Sequence, residues 1–368
     1  MKDFAGTRRR RAEPQRAVFG QEVLQDGVTR RRFLKAATFG AMGVAASQSD
    51  VVFGGLLRET ARPGARARVP NPFAKDGRPL LVVVEGRDLE AMLAAGLDAL
   101  GGLDKLLPQG APVVLKPNLV KPQPYPVTTD PGFVFTLVRQ LRRAGCGELI
   151  ISDSPSAAGA RKDRPFVRSG YFQEGKAAGV KVVAVDNQSA KDYLPVQEQG
   201  WELHSEILVD RRLLDAPIII NLPTLKRHFI PGMTCALKNF FGAVHGSLRR
   251  KAHQEAKEGR RGLVTFKKTI AEFADALRSE LTIVDARSLL IKGGPTLGVG
   301  AAEVKGDVNR MLLSGDMAAA ESYGAKLLKE HDQTFSPAMA DDTLEYAQNL
   351  GVGIPDLKQV EVIELSVS

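Results

Sequence analysis

Cysteine is scarce in this chain: its 368 residues include only Cys146 and Cys235. Two thiolates cannot complete an iron–sulfur cluster or a zinc site that needs four cysteines, so no iron–sulfur cluster is expected and the cofactor remains unknown. The apolar sequence around both residues favours buried free thiols. A disulfide stays open as the alternative, because sequence does not give the distance between the two Cα atoms.

Three common catalytic signatures are also missing. The chain has no Gly-x-Gly-x-x-Gly turn, no P-loop and no Gly-x-Ser-x-Gly elbow. These motifs form dinucleotide sites, phosphate cradles and serine nucleophiles. The sequence therefore gives no support for a nucleotide-dependent oxidoreductase, an NTPase or a serine hydrolase.

Most of the chain has little excess charge, although the formal net charge is +9. Residues 1–47 contain ten basic and four acidic residues, or +6, which leaves +3 for the remainder. A nucleic-acid-binding protein usually has a basic face and a recognisable reading motif. Neither is evident, so no nucleic-acid partner is expected.

The segment TRRRFLK, residues 29–35, precedes the mildly apolar run AATFGAMGVAAS. It resembles a twin-arginine export signal, with Arg30 and Arg31 as the paired arginines; the alternative is a basic stretch before an ordinary helix. The run is shorter than the roughly 20 apolar residues of a membrane span. We expect the twin-arginine translocation machinery to export the protein to the periplasm or the outer face of the cytoplasmic membrane, where an uncleaved signal is one way to anchor it.

Three regions follow from these features. Residues 1–47 are the predicted signal region, and residues 48–78, rich in Pro, Gly, Arg and Ala, are a predicted flexible linker. Residues 79–368 are predicted to form a single α/β domain, because short apolar runs alternate with segments of helical spacing. The pattern predicts a doubly wound, mostly parallel sheet with helices on both faces and a helical or irregular insertion at about 246–280.

Polar residues collect where the predicted strands end. Lys116 and Asn118 follow VVL, Asp153 follows LIIS, and Asn221 and Lys226 follow PIII. In open parallel sheets the ligand crevice lies outside the carboxyl ends of the strands, so these side chains are predicted to face one crevice. For the aspartates and asparagines the alternative is a local role in turns and helix caps.

Lysine neither caps helices nor forms turns, so Lys116, Lys226 and Lys238 are more informative. An ammonium group in apolar surroundings is costly unless it is paired. These lysines must therefore meet either buried carboxylates or an anionic ligand. The candidate carboxylates are Asp153, Asp285 and Asp316.

Three histidines, His228, His245 and His253, are candidate metal ligands. None of their spacings is a sharp metal motif, and packing or surface roles are the alternative. The basic run at 247–268 is either a solvated helical face or a lip that attracts anions.

Four segments together resemble the family catalogued as domain of unknown function 362. They are LKPNLV, IISDSP, INLPTLKRHFIPGMTCALKNFFGAVHG and LLSGDMAAAESYGAKLL. Glu321 stands where the family usually has an aspartate. Some relatives carry a ferredoxin-like cysteine module, which this chain lacks. The resemblance implies a fold and a set of residues but no reaction.

Three functional hypotheses remain. In the first, the protein is an exported enzyme or cofactor-dependent protein with a phosphate or carboxylate ligand: the three lysines hold the anion, Asn118, Asn221 and Asn239 donate hydrogen bonds, and Asp153 or His228 handles protons. The second is a metal-dependent hydrolase. The third is a non-catalytic periplasmic binding or assembly protein.

Overall fold

The computed structural model describes Arg66, residues 69–155 and residues 163–368. The predicted signal region with Arg30 and Arg31, and most of the predicted linker, lie outside the described residues. The strands are β1 Ala74–Lys75, β2 Arg78–Glu85, β3 Val113–Pro117, β4 Leu149–Asp153, β5 Lys181–Ala184, β6 Tyr193–Val196, β7 Ile207–Asp210, β8 Ile218–Leu222, β9 Thr224–His228, β10 Gly232–Thr234, β11 Leu281–Gly293, β12 Gly300–Lys305, β13 Arg310–Ser314 and β14 Glu361–Ser366.

Nine α-helices occur in the described residues. They are α1 Leu89–Ala99, α2 Pro131–Arg143, α3 Arg164–Arg168, α4 Tyr171–Ala178, α5 Arg211–Leu214, α6 Gly246–Glu255, α7 Gly259–Asp275, α8 Met317–His331 and α9 Asp341–Asn349. In helix α2, residues at both ends match the usual start and stop signals. Asp130 accepts from the Gly132 amide and Pro131 occupies the first turn, while Gly145, just beyond the end, has a φ of 79°. A short 3-10 helix, Lys238–Ala243, precedes α6.

The central sheet is mixed and mostly parallel, with the order β14-β2-β13-β11-β8-β3-β4-β5. Strand β13 alone among these eight runs antiparallel to its neighbours. The chain reaches it from β11 through the β12 hairpin and not through a crossover helix, so it returns in the opposite direction. The prediction of an α/β fold with a mostly parallel sheet is confirmed.

Alternation along the strands gives the sheet two buried faces. Leu80, Val82 and Val84 of β2 join a large apolar cluster with α1 and α2, while Leu81 and Val83 are buried outside that cluster. A strand buried on both faces reads as a continuous apolar run, as the predicted strands do. Helices α6 and α7 occupy the predicted insertion, and Cys146 and Cys235 are buried free thiols, which confirms that prediction.

Packing begins upstream of residue 79, where the sequence predicts the domain to start. Phe73 is fully buried in the core, and Ala74–Lys75 pairs with β2. Arg66 forms an ion pair of 2.9 Å with Glu280 and donates to the carbonyl oxygens of Leu277 and Arg278. No helix of the described residues is long and apolar enough to cross a membrane.

Candidate functional site

A pocket of about 620 Å³ lies at the carboxyl ends of β3 and β4. Strand β9, the 3-10 helix Lys238–Ala243, helix α6 and the segment Pro295–Val299 provide its other walls. We call this the strand-end pocket. Its lining includes six of the residues that the sequence predicts to converge, namely Asn118, Asp153, Lys226, His228, Lys238 and Asn239.

Lys116 and Asp153 form a buried ion pair at the base of this region. The Lys116 ammonium group donates to Asp153 Oδ1 and to the Pro117 carbonyl oxygen, and Asp153 Oδ2 accepts from the Leu119 amide at 2.8 Å. Lys116 is fully buried, and burial lowers its pKa while Asp153 opposes that shift. Of the carboxylates that the sequence offers to Lys116, the structure selects Asp153.

The other two candidate carboxylates have different partners. Asp285 accepts from the guanidinium group of Arg287 and from the hydroxyl of Tyr125. Asp316 caps helix α8 by accepting from the Ala319 amide at 2.9 Å. Within the described residues, neither aspartate forms an ion pair with Lys116, Lys226 or Lys238.

The asparagines form a chain of hydrogen bonds that runs in one direction. Lys226 Nζ donates to Asn118 Oδ1 at 2.8 Å, and Asn118 Nδ2 donates to Asn239 Oδ1 at 2.8 Å. Asn239 Nδ2 then donates to Asn221 Oδ1, and Asn221 Nδ2 donates to the Ala236 carbonyl oxygen. The Ala236 carbonyl oxygen can only accept, so this end of the chain fixes the orientation of all three amides.

This chain gives Asn221 and Asn239 a scaffolding task. Asn221 is fully buried and does not line the pocket, and the Asn239 Nδ2 group also donates to the Lys116 carbonyl oxygen at 3.0 Å. Asn118 uses one N–H in the chain and lines the pocket. Direct donation by these asparagines to a ligand stays a prediction, and Asn118 has the geometry best suited to it.

Strand alternation delivers Lys226 and His228 to the same face of β9. Leu225 and Arg227 point the other way: Leu225 is fully buried, and Arg227 forms an ion pair of 3.1 Å with Asp332. Burial lowers the pKa of Lys226 to about 7, and the positive charge of Lys238 acts in the same direction. Its ammonium group is held by Asn118 and by the Val127 carbonyl oxygen.

Lys238 opens the 3-10 helix and lies among aromatic rings. Its Nζ is 4.0 Å from the ring centre of Phe241 and 5.4 Å from that of Phe266. Burial lowers the pKa of Lys238 to about 7, and the nearby Arg249 contributes in the same direction. Within the described residues, its Nζ makes no direct hydrogen bond and no ion pair.

His228 and His253 both line the pocket, but the free ring nitrogen of His228 is a hydrogen-bond donor and that of His253 is an acceptor. His228 Nδ1 accepts from the Ile230 amide at 3.2 Å, so in the neutral ring Nε2 carries the hydrogen. His253 Nδ1 lies 2.7 Å from the Arg249 carbonyl oxygen and must donate to it, which leaves Nε2 as an acceptor. Burial lowers the pKa of both rings, that of His253 to about 4, so both are neutral at neutral pH.

His245 has a structural role that differs from the positions of His228 and His253 in the pocket. Its Nδ1 accepts from the Ser247 amide at 3.3 Å, so it caps helix α6, and it does not line the pocket. No group of three His, Cys, Asp or Glu suited to a metal ion occurs in the part of the chain that the structure describes. The three predicted metal candidates are thus not brought together.

Positive charge dominates the lining of the strand-end pocket. The six lysine and arginine residues that line it are Lys121, Lys226, Lys238, Arg249, Arg250 and Lys257. Asp153 is the one acidic residue among the described lining residues, and it is paired with Lys116. Helix α6 supplies Arg249 and Arg250, and Lys257 follows its end, so part of the basic run at 247–268 does face the pocket.

Several residues of the site were missed by sequence reasoning. Arg249 is buried and donates to both the carbonyl oxygen and the hydroxyl of Ser154, at 2.9 Å each. Glu321 lies behind the 3-10 helix, where it accepts from the Leu237 amide at 2.9 Å, and burial raises its pKa to about 7. The only sequence signal for Glu321 was its place in the family pattern, and nothing distinguished Arg249 within the basic run.

Glycine at position 242 permits the close approach that completes the site. A Cβ atom there would lie 2.2 Å from Asp153 Oδ1 and 2.7 Å from Lys116 Nζ. The Gly242 carbonyl oxygen also accepts from the Ser154 amide at 2.9 Å. The backbone of the 3-10 helix thus lies directly on the buried ion pair.

The fold and the site define an α/β protein with a cationic pocket at the carboxyl edge of its sheet. The sequence model of a family described as Domain of unknown function (DUF362) matches residues 113–326, more than half of the chain. The chain belongs to this family, which confirms the resemblance seen in the sequence.

One similar protein is a thylakoid-associated protein of Synechocystis sp. (strain PCC 6803). It is 29% identical over 225 residues, which cover 58% of this chain and 63% of that protein. The chain therefore spans less than two thirds of the length of this relative.

Two solved structures show a distant likeness. The lactate racemase apoprotein from Thermoanaerobacterium thermosaccharolyticum has a TM-score of 0.38 at 12% identity, over 66% of this chain and 57% of that one. A protein from Thermotoga maritima has a TM-score of 0.35 at 13% identity, over 70% of this chain and 59% of that one. At such low similarity, no activity is transferred from either protein to this chain.

Proposed function

We propose that this protein is exported and binds a small organic anion, a carboxylate or a phosphate, in the strand-end pocket. The observation that supports the proposal is the charge of the lining: six lysine and arginine residues face the pocket together with one carboxylate, which Lys116 already neutralises. A concave site lined by charges of one sign has a strong local potential, so a positively charged pocket attracts anions. The pocket is also within the size range of small-molecule sites.

The energetics of the buried lysines favour an anionic ligand over a neutral one. Taking an ammonium group out of water carries a penalty of several kcal/mol unless a partner compensates it. The low pKa values of Lys226 and Lys238 express that penalty. A bound anion supplies the missing negative charge, so it stabilises the protonated lysines and raises their pKa values.

The proposal predicts that affinity falls as pH rises. Lys226 and Lys238 both titrate at about 7, and the anion binds their charged forms. Other charged or titratable groups around them are Asp153 on β4, His228 on β9, Arg249 and His253 on α6, and Glu321 on α8. For one lysine whose charge is required, affinity should drop about 100-fold between pH 6 and pH 9.

Isothermal titration calorimetry with acetate, oxalate, pyruvate and sulfate tests this expectation, because these anions keep a nearly constant charge over that pH range. The Lys226→Met/Lys238→Met double variant should bind weakly and with little dependence on pH. Failure of all four anions to bind, or equal affinity at both pH values in the wild type, would contradict the proposal.

A further inference from the structure

Four lysines are buried in the described part of the chain, and three of them have a clear partner. Lys116 pairs with Asp153, Lys267 Nζ is 2.7 Å from Asp342 Oδ2, and Lys226 donates to two oxygen atoms. Lys238 is different: within the described residues it has no ion pair and no hydrogen-bond acceptor for its Nζ. A buried lysine without such a partner is more stable as a neutral amine.

Lys238 lines the pocket, and its immediate surroundings are largely apolar. Phe241 and Phe266 provide the apolar walls, and the His253 ring packs against the same two phenyl rings, with centroid distances of 5.7 Å and 5.0 Å. Glu321 is near enough to raise the pKa of Lys238 but forms no ion pair with it. With a pKa of about 7, the amine and ammonium forms of Lys238 are similarly populated at neutral pH.

A neutral lysine amine in an apolar site is a nucleophile toward carbonyl groups. The positively charged residues around Lys238 would bind the carboxylate group of a molecule whose carbonyl carbon Lys238 attacks. The substrate must therefore carry both a carboxylate and a ketone or aldehyde group. We propose that Lys238 forms an imine with a small carboxylate that also carries a ketone or aldehyde group, such as a 2-oxo acid. This proposal rests on the anion-binding function proposed above.

The reaction needs only the substrate and side chains that line the pocket. The Lys238 nitrogen attacks the carbonyl carbon, a C–N bond forms, and the π electrons of the C=O bond move to oxygen, where the His228 Nε2–H group can donate a hydrogen bond. His253 Nε2 carries a proton from nitrogen to oxygen twice: the first transfer gives the neutral carbinolamine, and the second completes a water molecule as the nitrogen lone pair forms the C=N bond and the C–O bond breaks. The products are the imine and one molecule of water, and no oxidant or reductant is required.

Reductive trapping tests the proposal on the full chain. The protein is incubated with pyruvate or glyoxylate and sodium cyanoborohydride, and mass spectrometry of the intact protein and of its peptides locates the adduct. We expect one major adduct, on Lys238, that accumulates at least tenfold faster than modification of any other lysine. Acetate, which has no ketone, should slow the trapping by competition.

The matched variant is Lys238→Arg, which keeps the positive charge but cannot form an imine. It should lose the adduct, whereas Lys176→Arg, at an exposed lysine of helix α4 that does not line the pocket, should trap normally. Because peptide mapping of the wild type identifies the lysine directly, the test does not depend on folding of the variant. Binding without trapping, or trapping spread over surface lysines, would overturn the imine and leave anion binding intact. Absence of both would overturn both proposals.

Discussion

Lys116 and Lys238 have the same side chain and similar burial, yet their environments predict opposite effects on stability. Lys116→Met leaves the Asp153 carboxylate buried without its cation, and breaking such a pair costs about 3–5 kcal/mol. Lys238→Met removes a cation that has no ion pair within the described residues and keeps most of the apolar contact. We expect the second variant to be as stable as the wild type or more stable, as measured by urea unfolding at pH 7.

The pH dependence of unfolding provides the control for this comparison. The pKa of Lys238 is lower in the folded protein than its ordinary value of 10.5, so the unfolded chain binds more protons between about 7 and 10.5. Wild-type stability from this residue therefore increases as pH rises through that window and is lost as pH falls. Lys226 acts in the same window, whereas Glu321, with its raised pKa, acts between 4.5 and about 7 in the opposite direction. The advantage of Lys238→Met should thus shrink toward pH 10; equal destabilisation by both variants would contradict the assigned environments.

The 3-10 helix Lys238–Ala243 is the element that joins the ion pair to the pocket, and it depends on Gly242. Replacement with alanine places a methyl group 2.2 Å from Asp153 Oδ1, where neither the carboxylate nor Lys116 has space to move. We expect Gly242→Ala to lower the free energy of unfolding by roughly 1–3 kcal/mol, the usual cost of overpacking, and to weaken anion binding. Chemical denaturation and calorimetry measure the two effects.

Gly306→Ala is the matched control for that substitution, since a Cβ atom there meets nothing within 4 Å. It should leave binding unchanged and stability within about 1 kcal/mol of the wild type. Similar losses in the two alanine variants would show that the close approach at Gly242 has no special importance.

At the level of elements, the sequence predicted those strands and helices whose positions depend on local patterns. Apolar runs with β-branched residues located β2, β3, β4 and β8, the apolar run MLL located β13, and capping signals located α2. Strands β9 and β10 lie in a segment that mixes lysine, histidine and phenylalanine, so no period was visible there. The antiparallel direction of β13 depends on the hairpin formed by β11 and β12, which a list of strands does not reveal.

The site was predictable only in part for a related reason. Strand ends indicated that Lys116, Asn118 and Asp153 lie at one edge, because the geometry of a parallel sheet brings its carboxyl ends together. The roles of individual residues depend on partners far along the chain: Asn118 bonds to Asn239, 121 residues away. Such pairings distinguish a scaffolding amide from a ligand-binding one, and no local pattern encodes them.

Across the whole molecule, positive charge is concentrated in two places: the strand-end pocket and residues 1–47, which carry +6 of the formal net charge of +9. The second concentration includes the paired arginines of TRRRFLK, Arg30 and Arg31. Arginine and lysine carry the same charge but differ in geometry, since only the guanidinium group presents a planar fork of donors. A receptor that reads the arginine pair should therefore distinguish the two residues, whereas simple attraction to an anionic membrane surface should not.

We predict that Arg30→Lys/Arg31→Lys prevents export, and that Arg8→Lys/Arg9→Lys, which makes the same change in the other arginine run, does not. Cell fractionation followed by immunoblotting measures the share of protein in the periplasm. Because both variants preserve the net charge, a selective loss with the first points to recognition of the arginine pair. Its cytoplasmic form should still bind pyruvate, since the substitutions lie far along the chain from the residues that line the pocket. Undiminished periplasmic recovery of the Arg30→Lys/Arg31→Lys variant would contradict export by the twin-arginine route.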